Sequence, residues 1–315
     1  MGHELTGDPF SGVAVGGTGG HGACAYATKD VILAAGAFAT PKLLELSGIG
    51  SASLLKSFDI SLVIDNPNVG ENLQDHIDAG FSFEVADGVK TVDGLARQDQ
   101  AAIGAAMESY LKEKSGPFAV GGNFAGGFLP VVDYLSPEGK EELSKLLQEI
   151  KDDDQPFTKS HNEFVRAMLS TPTESSGCYF SYPAQGNFIP EAGSNDIMIS
   201  ANADARNFFT IGCMLLHPLS RGSSHITSSD PASKVAIDPK YLTNPVDLEI
   251  LARHVRYIWQ IVSSEPLKSF LKPGGKRNYG APENMDDLTE IKNIECLASY
   301  KYMCYVAFGK GRRGE

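Results

Sequence analysis

The spacing of apolar residues along the chain changes several times, and each change predicts an element. Val31-Ile-Leu33 is a continuous apolar run of the kind a sheet buries on both faces. Ala34-Ala-Gly-Ala37 follows with almost no side-chain bulk, so another backbone or a flat ligand can approach closely. Thr40 stands as an N-cap with Pro41 at the first helical position, and Leu43, Leu44 and Leu46 predict the buried side of a short helix that Ser47-Gly48 ends. From these residues alone the corner is either ready for a ligand or packed against other backbone. Ser51 predicts the cap of a second short helix carrying Leu54, Leu55 and Phe58, and Ile60–Ile64 returns as a strand. Upstream, Gly12–Val15 and Ala23–Ala27 read as strands around Gly16–Gly22. Gly17, Gly19 and Gly22 match G-x-G-x-x-G, but that loop binds pyrophosphate where a helix follows it. Here a second strand follows, which predicts a hairpin turn.

After a polar, turn-rich loop at Asn66–His76, the pattern changes style. Ile77, Ala79, Phe81, Phe83 and Val85 alternate with Asp78, Gly80, Ser82 and Glu84, the period of a half-exposed strand. Leu143, Leu146, Leu147 and Ile150 form one helical stripe. Further strands are predicted at 178–182, 197–201, 210–217 and 225–227, with Phe180, Tyr182, Phe208 and Phe209 read as core rather than pocket. Asn244 and Pro245 open a strong helix whose apolar face is Leu248, Leu251, Ala252, Val255, Ile258, Trp259 and Val262. The clearest change of domain falls near residue 77.

Composition narrows the function classes. At 315 residues with 42% hydrophobic content, the chain holds one large or two ordinary globular domains. A formal charge of -12 argues against nucleic acid or an anionic membrane as partner, and the one dense basic run, Gly309–Arg313, reads as a solvated tail. The longest apolar run, Val31–Ala39, falls far short of the ~20 residues needed to cross a bilayer. The first residues lack the charged and apolar regions of a signal peptide, so the default compartment is the cytoplasm. Cys24, Cys178, Cys213, Cys296 and Cys304 are scattered without a Cys-x-x-Cys pair, and no metal site is expected.

Three blocks taken in order resemble the glucose-methanol-choline (GMC) family of FAD-dependent oxidoreductases. They are Gly36-Ala-Phe-Ala-Thr-Pro41 with Ser47-Gly-Ile-Gly50, then Asn68-Val-Gly-Glu-Asn-Leu-Gln-Asp-His76, then Leu216-His-Pro-Leu-Ser-Arg-Gly222 continued by Ser228–Pro231 and Ile237–Leu242. The likeness runs from Gly12 to about Pro266, and its phrasing is most similar to fungal aryl-alcohol oxidases and dehydrogenases.

The resemblance implies an α/β plus α+β chain: an incomplete Rossmann-like FAD-binding domain at 1–76, a substrate-binding domain with a mainly antiparallel sheet and flanking helices at 77–232, and a return segment toward the FAD-binding domain at 233–315. It implies FAD as cofactor, with Ala35, Gly36, Ala37, Thr40, Pro41, Asn72, Asp75 and His76 around it. The substrate class is a small-molecule alcohol whose hydride passes to the flavin, and a homodimer or paralogue dimer is a possible assembly. Family members open with a βαβ unit carrying the true dinucleotide loop and close with a catalytic His in a Tyr-His-Pro-x-Gly-Thr context. Here no such loop precedes Gly12, and Ser299–Phe308 takes the place of the second, with Lys301 where the His should stand and Tyr302 for the Pro. The chain is therefore expected to be truncated at both ends and inactive or nearly so, because a lysine of ordinary pKa, near 10.4, is a poor base at neutral pH. His217-Pro218 reads as a structural strand end. A non-catalytic fragment that binds ligand or pairs with a full-length paralogue is the competing expectation.

Overall fold

The computed structural model describes residues 12–15, 23–26, 30–120, 125–152, 156–186, 206–278 and 281–293. The turn at 16–22, the strand predicted at 197–201, Cys296, Lys301, Cys304 and the basic run at 309–313 lie outside them. Two compact units divide the chain after Asp75 and exchange Arg221–Lys240, which groups with the first unit while the described residues from Tyr241 on group with the second.

In the first unit, β1 (Gly12–Val15) and β2 (Ala23–Tyr26) pair antiparallel, with Val15 opposite Ala23. Two sequence expectations fail next. Among the described residues Val31–Leu33 pairs with no strand, and it is exposed. The helix α1 (Gly36–Leu46) opens a turn earlier than predicted, at Gly36 with φ 84°. Thr40 and Pro41 therefore lie inside α1 rather than capping it, and the Thr40 Oγ1 accepts the Ala35 N–H at 3.1 Å. Pro41 has no N–H for the Ala37 carbonyl one turn back. The buried side of α1 also differs: Leu43 is exposed and Glu45 is fully buried. The helix ends as the sequence predicts, with Ser47 as C-cap and Gly48 at φ 82°. The chain then makes β3 (Ile49–Gly50), α2 (Ala52–Ser57) and β4 (Ile64–Asp65), with β3 and β4 parallel. Ser51 is the N-cap of α2 by position, but the Asp65 carboxylate accepts the Ala52 N–H at 3.0 Å.

The second unit is built on an antiparallel sheet ordered β5-β8-β7-β6. Its strand β5 (Ile77–Glu84) is followed by α3 (Asp93–Ala96), α4 (Gln100–Glu113), β6 (Ala125–Leu129), α5 (Pro137–Glu149), α6 (Pro156–Ser170), β7 (Gly177–Tyr182) and β8 (Phe208–Leu215). β5 is not half-exposed as its alternation predicts: Ser82 and Glu84 are buried too. Bridges from Val85 to Leu271 and from Phe83 to Arg277 occupy its free edge, and the Glu84 carboxylate accepts the Lys276 N–H of the same segment at 2.9 Å. Ser82 then finds Thr210 Oγ1 at 2.8 Å, and Glu84 finds Lys272 Nζ at 2.7 Å.

The exchanged segment contributes β9 (Ser223–His225) and β10 (Ala236–Asp238), an antiparallel pair in the first unit. Back in the second unit, α7 (Pro245–Val262) starts as predicted, with the Asn244 side chain accepting the Val246 N–H at 3.0 Å. Its residues Leu251, Ala252, Val255 and Ile258 are fully buried. At ~25 cal/mol per Å² of apolar surface removed from water, this helix and the sheet supply the unit's main driving force. α8 (Leu288–Lys292) packs beside α7, where Lys292 pairs with Glu249.

One buried polar cluster ties α7 to the sheet. The His254 ring, 1% exposed, has Nε2 at 2.9 Å from Ser176 Oγ and Nδ1 at 2.9 Å from the Tyr179 hydroxyl. Burial holds this imidazole down at about 3, so it is neutral at physiological pH.

Candidate cofactor cavity

In the first unit one face of α1 borders an open cavity of about 330 Å³. Ala37, Thr40, Pro41 and Leu44 supply that face at the i, i+3, i+4 and i+7 spacing of one helical stripe. The facing wall is the Asn66–Gln74 loop, and its shape follows from three local features. Asn66 Oδ1 accepts the Asn68 N–H at 3.1 Å, closing an Asx turn. Gly70 takes φ 81° and presses against β9, where any Cβ would fall 2.6 Å from His225 Nδ1. Asn72 takes φ 60°, a left-handed conformation that asparagine tolerates better than most side chains.

The loop is stitched to the strand beside it. Ser224 N–H donates to the Gly70 carbonyl at 2.7 Å, and Leu73 and Gly222 exchange both backbone bonds at 2.8 and 2.9 Å. Gly222 is obligatory here, since a Cβ would collide with the Asp238 carbonyl. Ser224 borders the cavity, is 1% exposed, and its hydroxyl has no hydrogen-bond partner among the described residues.

Of the residues the sequence nominates, Ala37, Thr40, Pro41 and Asn72 line this one cavity. Ala35 and Gly36 sit just ahead, exposed at the start of α1, and do not line it. Asp75 and His76 are exposed and also lie outside its lining, and Lys301 is outside the described residues. His217 belongs to the second unit, where its ring meets Phe164 edge-on at 5.2 Å between centroids. Burial, with His76 nearby, holds His217 below its ordinary value.

Sequence reading missed the polar cluster behind the cavity. Glu45 Oε1 lies 2.6 Å from His225 Nδ1, and its Oε2 accepts the Ile226 N–H at 2.9 Å. His225 Nε2 lies 3.0 Å from Glu71 Oε1. Burial pushes this imidazole down, but hydrogen bonds to Glu45 and Glu71 outweigh it and the pKa is raised. The available signal was a single acid inside the leucine run Leu43-Leu44-Glu45-Leu46. Among the described residues no group of three or more His, Cys, Asp or Glu side chains could hold a metal ion, and no helix is long and apolar enough to cross a membrane.

Two family models, both described as GMC oxidoreductase, match residues 6–78 and 218–314, the two parts of the chain that build this cavity wall. The chain belongs to the GMC oxidoreductase family. Within it, the dehydrogenase mpl7 of Monascus purpureus is 30% identical over 271 residues, covering 82% of this chain and 42% of that protein. Formate oxidase of Aspergillus oryzae shares the fold with a TM-score of 0.68 at 22% identity, over 92% of this chain and 46% of that one. A fungal aryl-alcohol oxidase matches at TM-score 0.60 and 20% identity, over 87% and 44%. This GMC chain thus spans less than half the length of these relatives.

Proposed function

We propose that this chain is an FAD-dependent oxidoreductase component acting on the CH–OH group of a small-molecule alcohol, in which the first unit, with residues 30–75 and 221–240, bears on the cofactor and the second unit, with the antiparallel sheet, on the substrate. The observation that carries this reading is the cavity on α1. At about 330 Å³ it lies within the ~300–1,000 Å³ range of small-molecule sites.

The residues present suit a flavin. The small side chain of Ala37 leaves the space a flat ring system needs, and the buried Ser224 hydroxyl is an unused polar group at the cavity's border. Thr40 Oγ1 already accepts one N–H, so its own proton is available to an acceptor in the cavity. Asn72 offers both a donor and an acceptor. Bound FAD supplies the acceptor for the hydride leaving the alcohol carbon.

The alcohol's hydroxyl proton needs a base of the chain's own. In this proposal Lys301, which replaces the family's His in the sequence, could take that proton only in its neutral form. A lysine of ordinary pKa is almost wholly protonated at pH 7, which keeps turnover low there.

Titration of the purified chain with FAD, followed by quenching of flavin fluorescence, tests the cofactor half of this reading. We expect saturable binding that Ala37→Trp abolishes while the melting temperature stays unchanged, because Ala37 is exposed toward the cavity. Equal affinity in wild type and variant contradicts it.

A further inference from the structure

Both ring nitrogens of His225 face carboxylate oxygens, Glu45 on one side and Glu71 on the other. Ionised carboxylates only accept hydrogen bonds, so a neutral imidazole with one N–H satisfies one of them and an imidazolium satisfies both. The two acids are not equivalent. The Glu45 side chain is fully buried on α1 and held a second time by the Ile226 N–H, whereas the Glu71 side chain is 47% exposed on the loop that forms the cavity's facing wall. Glu45 is thus the anchor and Glu71 the end that can let go.

We propose that His225 is a proton-operated latch: its imidazolium ties Glu71, and with it the 69–74 wall of the cavity, to Glu45 on α1, and loss of the proton frees Glu71 and loosens that wall. The charged groups facing the ring come from two elements, Glu45 from α1 and Glu71 from the loop. On β10 the residue opposite His225 is Ala236, and Asp238 lies opposite Ser223 instead. Lys42, the nearby cation of α1, is committed to the Pro231 and Ser233 carbonyls at 2.7 Å each.

The raised imidazole pKa agrees in sign. The folded state holds the proton more tightly than the unfolded chain, so the latch is fully engaged below the ordinary histidine value of about 6.5 and is lost as pH rises through the folded value. Nothing in this latch requires flavin, so it stands or falls separately from the cofactor assignment.

The test uses the full chain without added cofactor. Histidine-labelled NMR, with His225→Gln to assign the resonance, is expected to show His225 titrating above about 6.5 in wild type and returning toward that value in Glu71→Gln. Hydrogen exchange of residues 69–74, corrected for the intrinsic pH dependence, is expected to lose about tenfold protection between roughly pH 6 and pH 9, the effect of one charge-assisted hydrogen bond. His225→Arg, which keeps the charge, should make that protection independent of pH. A His225 that titrates at or below the ordinary value, or wild-type protection that does not change with pH, overturns the proposal even if the arginine variant fails to fold.

Discussion

At the scale of single residues, two histidines respond to pH in opposite directions. Folding raises the proton affinity of His225 and lowers that of His254. His254 has a folded pKa near 3 because it is wholly desolvated, and an unfolded value of about 6.5. Below pH 6.5 the unfolded chain binds a proton that the folded chain refuses, so stability present above pH 6.5 is lost as pH falls toward 3. Urea midpoints measured across that window should fall in wild type, and the fall should be shallower in His254→Gln, whose amide can still meet Ser176 or Tyr179. An identical pH slope in both would assign the acid sensitivity to other groups. Neither histidine's role was legible in the sequence. His225 meets an acid 180 residues earlier, and His254 meets a serine 78 residues earlier, so only the folded backbone brings the partners together.

Among the elements, legibility followed the range of the interaction. The Asn244-Pro245 start of α7 and the Ser47-Gly48 end of α1 were readable because capping acts within a turn. Thr40-Pro41 misled for the same local reason: the pair looks like a helix start, but Gly36 opens α1 earlier and leaves Pro41 inside. The alternation in β5 misled because the covering segment 271–278 arrives from nearly two hundred residues away. Two substitutions test these accounts. Gly48→Ala should cost about 1–3 kcal/mol by denaturant titration, since φ is 82° and a Cβ would collide with the Ser61 carbonyl. Ile258→Ala, at a fully buried position of α7, should cost about 2–5 kcal/mol by the same measurement. A loss under ~0.5 kcal/mol at either position contradicts the corresponding packing.

For the whole molecule, the family assignment and the cavity belong to different levels of inference. The three sequence blocks identify a GMC oxidoreductase, and two family models match the chain at both ends of the described fold. Of the site residues, Ala37, Thr40, Pro41 and Asn72 were nominated by resemblance and share one cavity, while Ala35, Gly36, Asp75 and His76 do not line it. The first four belong to one helical face and the loop laid along it, a juxtaposition that helical spacing alone half-reveals. The proposed reaction turns on Lys301, which replaces the family's His in the sequence, because general base catalysis is worth ~10²–10⁴-fold.

The most direct measurement is therefore anaerobic bleaching of chain-bound FAD by an aromatic primary alcohol at neutral pH, compared between wild type and Lys301→His. Slow bleaching in wild type that accelerates at least about tenfold in the variant is the expected result. Bound flavin that a chemical reductant bleaches but the alcohol leaves oxidised in both proteins, or equal rates in the two, would contradict the proposed alcohol-oxidising site.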